Sequence, residues 1–222
     1  MCNRDCLAFT DQNLTAERVA GRRVLEVGAQ DVNGSARPFV ERHRPAEYLG
    51  VDIANGPGVD EICDVGELVE RFGEERFDLV VCTEVLEHVR DWRRALSNLK
   101  RVLAADGMLL VTTRSIGFHY HGYPYDFWRF EPEDVETLTA DMMLHVLERD
   151  DSSPGVFFVA VKQDDFRETS FEDHKLFSVI TGRRCRDVSD TQLRWFLWIR
   201  RPITRFFQKR VRSIQKRLPG HQ

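Results

Sequence analysis

Short apolar runs alternate with amphipathic stretches over the first 163 residues of the chain. The run at 77–82 is almost continuously apolar, which is typical of a strand buried on both faces of a parallel sheet. The alternation predicts an α/β fold, a doubly wound and mostly parallel seven-stranded sheet with a terminal β-hairpin. Strands are predicted at 24–27, 48–53, 60–65, 77–82, 108–113, 143–148 and 156–161, and helices at 15–20, 36–43, 68–72, 91–103 and 133–139.

The composition changes near Gln163, which divides the chain into two parts. Residues 164–173 are acidic, whereas 192–222 hold nine of the 32 Lys and Arg residues and none of the 36 Asp and Glu residues. Apolar residues recur there at three- and four-residue steps, which predicts a basic amphipathic helix bent near Pro202. We predict one domain over 1–163, followed by a connector and a helical basic extension over 164–222.

The charge distribution limits the kinds of partner that this extension can bind. Its apolar stripe can pack on its own domain or on a second subunit, which is the commoner case, or lie on an anionic membrane surface. The rest of the chain is acidic, so nucleic-acid binding is not expected. Five scattered cysteines, no leader peptide and no long apolar span indicate a cytoplasmic protein, with peripheral membrane contact as the alternative.

Candidate chemistry lies where the predicted strands end. Gly28 directly follows the first strand, and glycine there lets the backbone approach an adenosine-type cofactor. Asp52 at the end of the second strand can accept both ribose hydroxyls, and Asp64 at the end of the third can accept from an adenine amino group. Alternatively, each acid caps a turn. The middle glycine of a dinucleotide turn is missing, and Glu26 inside the first strand suits an ammonium group better than a diphosphate.

The chain resembles class I S-adenosylmethionine-dependent methyltransferases over about residues 20–163. The matching segments are VLEVGAQDVNGS, YLGVDI, CDV, FDLVVCTEVLEHV and ADGMLLVTTR. The resemblance implies that Glu26 and Gly28 face the methionine moiety, Asp52 the ribose, and Asp64 with Val65 the adenine. The glycine loop is longer than the usual family form, so its contacts are expected in a different arrangement. The cofactor-binding residues implied are Glu26, Gly28, Ala29, Gln30, Asn33, Asp52, Ile53, Asp64, Val65 and Thr83.

Glu84, Glu87 and His88 are predicted to open a helix, where their spacing places them on one face. Two carboxylates and an imidazole could hold a divalent cation such as Mg²⁺. A similar E-x-x-E-H string occurs in metal-using ubiquinone-pathway O-methyltransferases and small-RNA end methyltransferases. The more frequent case is a relative without metal, in which the acid favours the helix amino end and the histidine bonds locally.

The loop at 114–130, here the aromatic loop, follows the fifth predicted strand and is crowded with aromatic and titratable side chains. His119, His121 and Tyr123 are the predicted catalytic residues, with His121 as the leading base for a hydroxyl proton. Phe127, Trp128 and Phe130 are expected to pack as a lid. The prediction is methyl transfer to a hydroxyl of a small molecule or sugar. The alternative is a cofactor-binding methyltransferase-like protein without turnover, acting as an interaction or assembly module.

Overall fold

The computed structural model describes residues 4–122, 124–150 and 152–200. Helices and strands alternate over most of this length, as the hydrophobic pattern predicts. The helices are α1 Arg4–Asn13, α2 Ala16–Val19, α3 Arg37–Glu41, α4 Leu68–Phe72, α5 Trp92–Arg101, α6 Pro132–Leu138 and α7 Asp190–Trp195. The strands are β1 Arg23–Val27, β2 Glu47–Asp52, β3 Glu61–Ile62, β4 Phe77–Thr83, β5 Leu103–Arg114, β6 Trp128–Arg129, β7 Met143–Arg149, β8 Gly155–Val161, β9 Leu176–Ser178 and β10 Arg183–Cys185.

Seven strands form one sheet in the order β3-β2-β1-β4-β5-β8-β7. The first five pair in parallel, whereas β8 is antiparallel to both of its neighbours. The predicted seven-stranded, mostly parallel sheet with a terminal hairpin is confirmed. Because β1, β2, β4 and β5 are parallel, the loops that follow them meet at one edge of the sheet, where ligands of such folds bind.

Successive residues of the central strands point to opposite faces of the sheet, and both faces are buried. Leu25, Val80 and Leu109 belong to one apolar core, whereas Val24 and Leu79 belong to the core on the other face. This two-sided burial explains the continuous apolar run of β4.

The helix α1 and the strand β3 differ from their predictions. The helix α1 was not predicted, although Cys6, Phe9, Thr10 and Asn13 are buried at three- and four-residue spacing. Two of these four are polar, so the apolar periodicity is weak. The strand β3 is only Glu61–Ile62 because the chain turns into a 3₁₀ helix directly after Asp64.

The segment after Gln163 packs against the rest of the molecule. Strands β9 and β10 join β6 in a three-stranded antiparallel sheet. Buried side chains of this segment belong to the same core as the main sheet, so the packed unit extends past Gln163. They are Phe171, Leu176, Ile180, Val188 and Phe196.

Only the first part of the predicted basic helix, 192–200, lies within the described residues. The helix α7 is followed by a π-helical stretch, Phe196–Arg200, and the predicted remainder, 201–222, lies outside the described residues. Over 4–122, 124–150 and 152–200, no helix is long and apolar enough to cross a membrane.

Candidate active site

The glycine loop after β1 contacts the segment after β4. Gly28 has a φ of +79°, a conformation that side chains with a Cβ rarely adopt. A Cβ at this position would overlap the side chain of Val85. The amides of Gly28 and Ala29 both donate to the Val51 carbonyl of β2, at 2.9 and 3.0 Å. The sequence needs glycine here because the backbone has a positive φ and passes directly against the Val85 side chain.

Asp52 ends β2 beside this loop and is half-buried. One carboxylate oxygen accepts from the Gln30 amide at 3.3 Å and the other from the Ala54 amide at 3.1 Å. Each oxygen keeps a lone pair for another donor. The next side chain, Ile53, is 60% exposed, an apolar surface beside the carboxylate. Their contacts with a ribose and its attached base stay a prediction.

Asp64 and Val65 follow β3. The Asp64 carboxylate is exposed and accepts from the Gly66 amide at 2.7 Å, which caps the 3₁₀ turn at Val65–Glu67. Val65 is buried beneath it. The turn-capping role left open by the sequence is therefore present, and a contact with adenine remains a prediction.

Glu26 is buried and engaged by protein groups at both carboxylate oxygens. One oxygen accepts from the Ala36 amide at 3.2 Å, at the start of α3, and the other accepts from the Tyr48 hydroxyl. Burial, reinforced by the nearby Glu26 charge, raises the pKa of Tyr48 well above its ordinary value. Glu26 thus holds the far end of the glycine loop, a role that its place in the sequence did not reveal.

The lengthened part of the glycine loop packs on the loop after β2. The Gln30 side chain lies so close to Gly56 that a Cβ there would collide with it. The Asp31 amide donates to the Pro57 carbonyl at 2.8 Å, and Asn33 is exposed. Of the predicted loop residues, Gly28, Ala29 and Gln30 therefore lie near Asp52, whereas Asn33 lies at the surface.

The segment after β4 does not form the predicted helix. Thr83 is buried at the strand end, and Glu84 adopts a φ of +58°, which breaks helical geometry at once. Only a 3₁₀ turn, Leu86–His88, follows. The Glu84 carboxylate forms a buried ion pair with Arg114, which also lies 3.4 Å from the Asp150 carboxylate. The prediction that Glu84, Glu87 and His88 share one helix face is wrong.

A different set of side chains converges instead, which we call the Glu87 cluster: Glu87, His88 and His121. Glu87 Oε1 lies 3.9 Å from His88 Nε2 and 3.7 Å from His121 Nε2. Thr113, in β5, donates to the other Glu87 oxygen at 2.9 Å. His121 comes from the aromatic loop, so the cluster joins the ends of β4 and β5 to that loop.

The aromatic loop is held by one buried arginine. Arg129 forms two contacts with the Asp126 carboxylate, at 2.5 and 2.7 Å, and donates to the Phe118 and His119 carbonyls. Asp126 in turn accepts from His121 Nδ1 at 2.8 Å. The predicted lid packing is confirmed, because the three residues expected to form it are buried. They are Phe127, Trp128 and Phe130.

The environment of His121 argues against a free general base at neutral pH. Burial alone would lower the pKa of His121, but the hydrogen bond to Asp126 and the nearby Glu87 carboxylate, 3.7 Å away, outweigh it and raise the pKa to about 9. Burial would likewise raise the pKa of Glu87, yet His121 and His88 lower it to about 2. Of the other two predicted catalytic residues, His119 is exposed and is not part of this cluster, and Tyr123 lies outside the described residues.

A surface cleft of about 470 Å³ lies beside the start of α5, away from the predicted residues. Its arginines are engaged by the chain itself: Arg90 donates to the Val188 carbonyl and Arg93 to the Phe171 carbonyl. We therefore do not assign the cleft to the acceptor.

Known proteins share this architecture. Residues 3–148 match the family described as "Methyltransferase domain". A curated relative, phthiotriol/phenolphthiotriol dimycocerosates methyltransferase 1 of Mycobacterium ulcerans, is 31% identical over 121 residues, which cover 50% of this chain and 44% of that protein. The chain thus matches less than half the length of this relative.

Solved structures show the same fold at low sequence identity. The 1,6-didemethyltoxoflavin-N1-methyltransferase of Burkholderia thailandensis, bound to S-adenosylhomocysteine, superposes with a TM-score of 0.58 at 19% identity and covers 73% of this chain and 80% of its own. Phosphoethanolamine N-methyltransferase 2 of Haemonchus contortus, in complex with S-adenosyl-L-methionine, gives 0.54 at 17% identity, with 70% and 53% covered. With the family match, the sheet order and the strand-end residues, the chain belongs to the methyltransferase-domain family, as a class I S-adenosylmethionine-dependent methyltransferase.

Proposed function

We propose that this methyltransferase acts on a hydroxyl oxygen of a small-molecule acceptor bound under the aromatic loop. The observation that carries the proposal is the Glu87 cluster at the ends of β4 and β5, where a carboxylate and two imidazoles meet. A hydroxyl must lose its proton during methyl transfer; the His88 imidazole can accept that proton, while a protonated His121 can stabilise the negative charge that develops on the oxygen. An amine acceptor carries its own lone pair and needs no such group at the moment of attack.

The proposed step is an in-line displacement. The acceptor oxygen forms a bond to the methyl carbon while the carbon–sulfur bond breaks, the hydroxyl proton leaves towards the Glu87 cluster, and S-adenosylhomocysteine is released. The sulfonium is already activated, so the protein mainly positions the two reactants. Such positioning is worth about 7–11 kcal/mol, and proton removal about 10²–10⁴-fold in rate.

We assign the cofactor to the loops after β1, β2 and β3. Asp52 would bind the ribose, with Ile53 covering the base, and Asp64 with Val65 would lie against the adenine. Gly28 and Ala29 would border the methionine moiety. The backbone of Thr83 would also contact this moiety. The half-exposed Asp52 carboxylate and the exposed Ile53 beside it support this orientation.

A sugar or another polyol is the proposed acceptor class. Aromatic rings with a few polar groups are typical of small-molecule pockets, and the aromatic loop supplies both. Phe118 and Tyr120 are half-buried, and Tyr125 is 39% exposed, so part of this ring surface faces outward. The name of the Mycobacterium ulcerans relative, which includes the word phthiotriol, agrees with a hydroxylated acceptor.

The experiment has two stages. Calorimetry with S-adenosylmethionine and S-adenosylhomocysteine measures cofactor binding, and we expect both to bind. Mass spectrometry then follows methyl transfer to a panel of sugars, polyols, phenols and amines. Products methylated on oxygen support the proposal, and exclusive N- or C-methylation contradicts it. Binding without any product across the panel would favour the alternative of an assembly module without turnover.

We also propose that the basic extension binds an anionic membrane surface at the cytoplasmic side. Trp195 and Trp198 are 52% and 82% exposed, and tryptophan prefers the membrane–water interface. The sequence that follows carries most of the nine basic residues counted above and no acid. Pelleting with vesicles of phosphatidylserine, at low and high salt, should recover the full chain only at low salt. Trp198→Ala should pellet less, and a chain that stays in the supernatant under both conditions contradicts the proposal, as does salt-dependent self-association without lipid.

A further inference from the structure

In the Glu87 cluster, three atoms that can each bind a cation lie close together. Glu87 Oε1, His88 Nε2 and His121 Nε2 all lie within 4.8 Å of one another. The two measured separations, 3.7 and 3.9 Å, exceed the 2.7–3.2 Å range of a hydrogen bond. In the part of the chain that the structure describes, neither Glu87 Oε1 nor His121 Nε2 has a hydrogen-bond partner.

The hydrogen bonds of the two Nδ1 atoms determine how both imidazole rings are oriented. His88 Nδ1 lies 2.6 Å from the Tyr125 carbonyl, which can only accept, so Nδ1 carries the hydrogen. His121 Nδ1 lies 2.8 Å from the Asp126 carboxylate, which the Arg129 guanidinium also contacts, so this carboxylate acts as the acceptor and Nδ1 as the donor. In the neutral imidazoles, both Nε2 atoms therefore present a lone pair to the centre of the cluster.

Glu87 adds the third lone pair at a fixed position. Its side chain is 0% exposed, and the Thr113 hydroxyl holds Oε2, which leaves Oε1 directed at the imidazoles. A buried carboxylate oxygen without a donor is costly. In the metal-free chain a proton on His121 Nε2 partly offsets this cost, and a metal ion between the three atoms would displace that proton.

We propose that Glu87, His88 and His121 bind a divalent transition-metal ion. Typical bonds of about 2.0–2.2 Å to nitrogen and oxygen separate two ligands of a tetrahedral site by roughly 3.4 Å. The two separations from Glu87 Oε1 need to shorten by about 0.3–0.5 Å, and the two Nε2 atoms, which lie within 4.8 Å of each other, must also come to this distance. Two imidazoles and one carboxylate suit Zn²⁺, Fe²⁺, Co²⁺ or Mn²⁺, whereas Mg²⁺ prefers oxygen ligands. The site therefore differs from the sequence prediction in one ligand and in the class of metal.

The surroundings match those of metal-binding histidines. Such histidines donate their second ring N–H to a carboxylate or a backbone carbonyl, and Asp126 and the Tyr125 carbonyl fill these positions. Three protein ligands leave further coordination positions, as in catalytic sites. The His88 side chain is 19% exposed, so one side of the cluster is open to water or an acceptor. An ion here would lower the pKa of a bound hydroxyl, a use that rests on the proposed function, whereas binding of the ion does not.

The test measures metal binding directly. The full chain is stripped with a chelator, dialysed and titrated with Co²⁺, whose ligand-field absorption reports coordination, and Zn²⁺ content after reconstitution is measured by elemental analysis. We expect one ion per chain. Glu87→Gln, His121→Gln and the half-exposed His88→Gln should each weaken binding by more than the roughly 10–100-fold expected for Asp126→Asn.

Two matched variants serve as controls. His145→Ala removes an exposed histidine of β7, and Glu84→Gln removes the acid that the sequence predicted as a ligand. Both should bind Co²⁺ as tightly as the unmodified chain, and thermal melting checks that every variant is folded. Retained affinity in the three ligand variants overturns the site, as does a wild-type chain that binds no Co²⁺. The cluster would then be a proton-sharing ion pair.

These outcomes are separable from those of the proposed function, because no methyl acceptor is used. A chain that binds Co²⁺ as expected but methylates only amines keeps the metal site and overturns the hydroxyl acceptor. A chain that methylates hydroxyls at full rate after chelation, and takes up no ion, overturns the metal site alone.

Discussion

The two halves of the site are built in different ways. In the proposed cofactor half, formed by the loops after β1, β2 and β3, the side chains mostly accept hydrogen bonds from backbone amides that are near in sequence or on the neighbouring loop. Asp52, for example, accepts from Gln30 and Ala54 and remains half-exposed. In the acceptor half, formed by residues 83–89 and the aromatic loop, buried side chains pair over long distances in the chain. Arg114 there meets Asp150.

This contrast explains why residues at strand ends can be used to predict the proposed cofactor half. The side-chain contacts of the acceptor half cannot be predicted in this way. A loop whose backbone amides donate the hydrogen bonds is determined by its local sequence and can be exposed to solvent. A buried charge network must satisfy every member, and its partners come from separate elements. The substitutions below test whether the two halves respond as differently as their construction implies.

The largest effect is expected in the acceptor half. Arg114→Met leaves the Glu84 and Asp150 carboxylates buried without their cation, which should lower the free energy of unfolding by about 3–5 kcal/mol. Chemical denaturation measures the change. The matched control is Arg149→Met, whose partner Glu131 lies 3.0 Å away and whose side chain is 55% exposed, so roughly 1 kcal/mol or less is expected. Equal losses in the two variants would remove the distinction between the halves.

In the cofactor half, Asp52→Ala should affect binding rather than folding. Loss of a charged acceptor is worth about 1.5–3 kcal/mol, or about 10–150-fold in the dissociation constant for S-adenosylmethionine. Calorimetry measures the affinity, and the melting temperature should stay close to that of the unmodified chain. Asp31→Ala, an exposed acid in the glycine loop outside the predicted set, should retain affinity. Unchanged binding in Asp52→Ala would exclude it from the ribose site.

Gly28→Ala tests the contact that joins the two halves. The positive φ costs about 1–2 kcal/mol for a residue with a Cβ, and the overlap with Val85 adds to it. The control is Gly73→Ala, because Gly73 has a φ of +82° and nothing within 4 Å of its added Cβ. Denaturation should show the larger loss for Gly28→Ala, and Val85→Ala in the same chain should recover the difference. Equal losses would mean that Val85 does not restrict the loop.

The smallest effect is expected for Asp64→Ala. Its cap on the Gly66 amide is worth about 1 kcal/mol of stability, and an exposed contact with adenine should add a modest loss of affinity. Denaturation and calorimetry on the same samples separate the two contributions. Lower stability with unchanged affinity would leave Asp64 as a turn cap only.

The sequence predicts the sheet well because strands buried on both faces are apolar throughout. Such runs can be identified without knowing which segments they contact in the fold. The sequence also places Gly28 and Asp52 at the ends of β1 and β2, where the structure has them, because the apolar runs define the strand ends. It misplaces Glu84 because helical spacing assumes a helix, and a single positive φ at that residue redirects its side chain to Arg114. The roles of His121 and Tyr48 depend on neighbours brought together only by folding.

The pairing of β6 with β9 has a consequence for protein engineering. Val179 donates to the Phe127 carbonyl at 2.9 Å, and Arg129 pairs with Phe177, so the aromatic loop and the C-terminal segment form one interlocked unit. Grafting the loop alone onto a related scaffold would leave the exposed edge of β6 without its strand. If the aromatic loop binds the acceptor as proposed, the module to transfer is therefore discontinuous and consists of residues 114–130 together with 171–185.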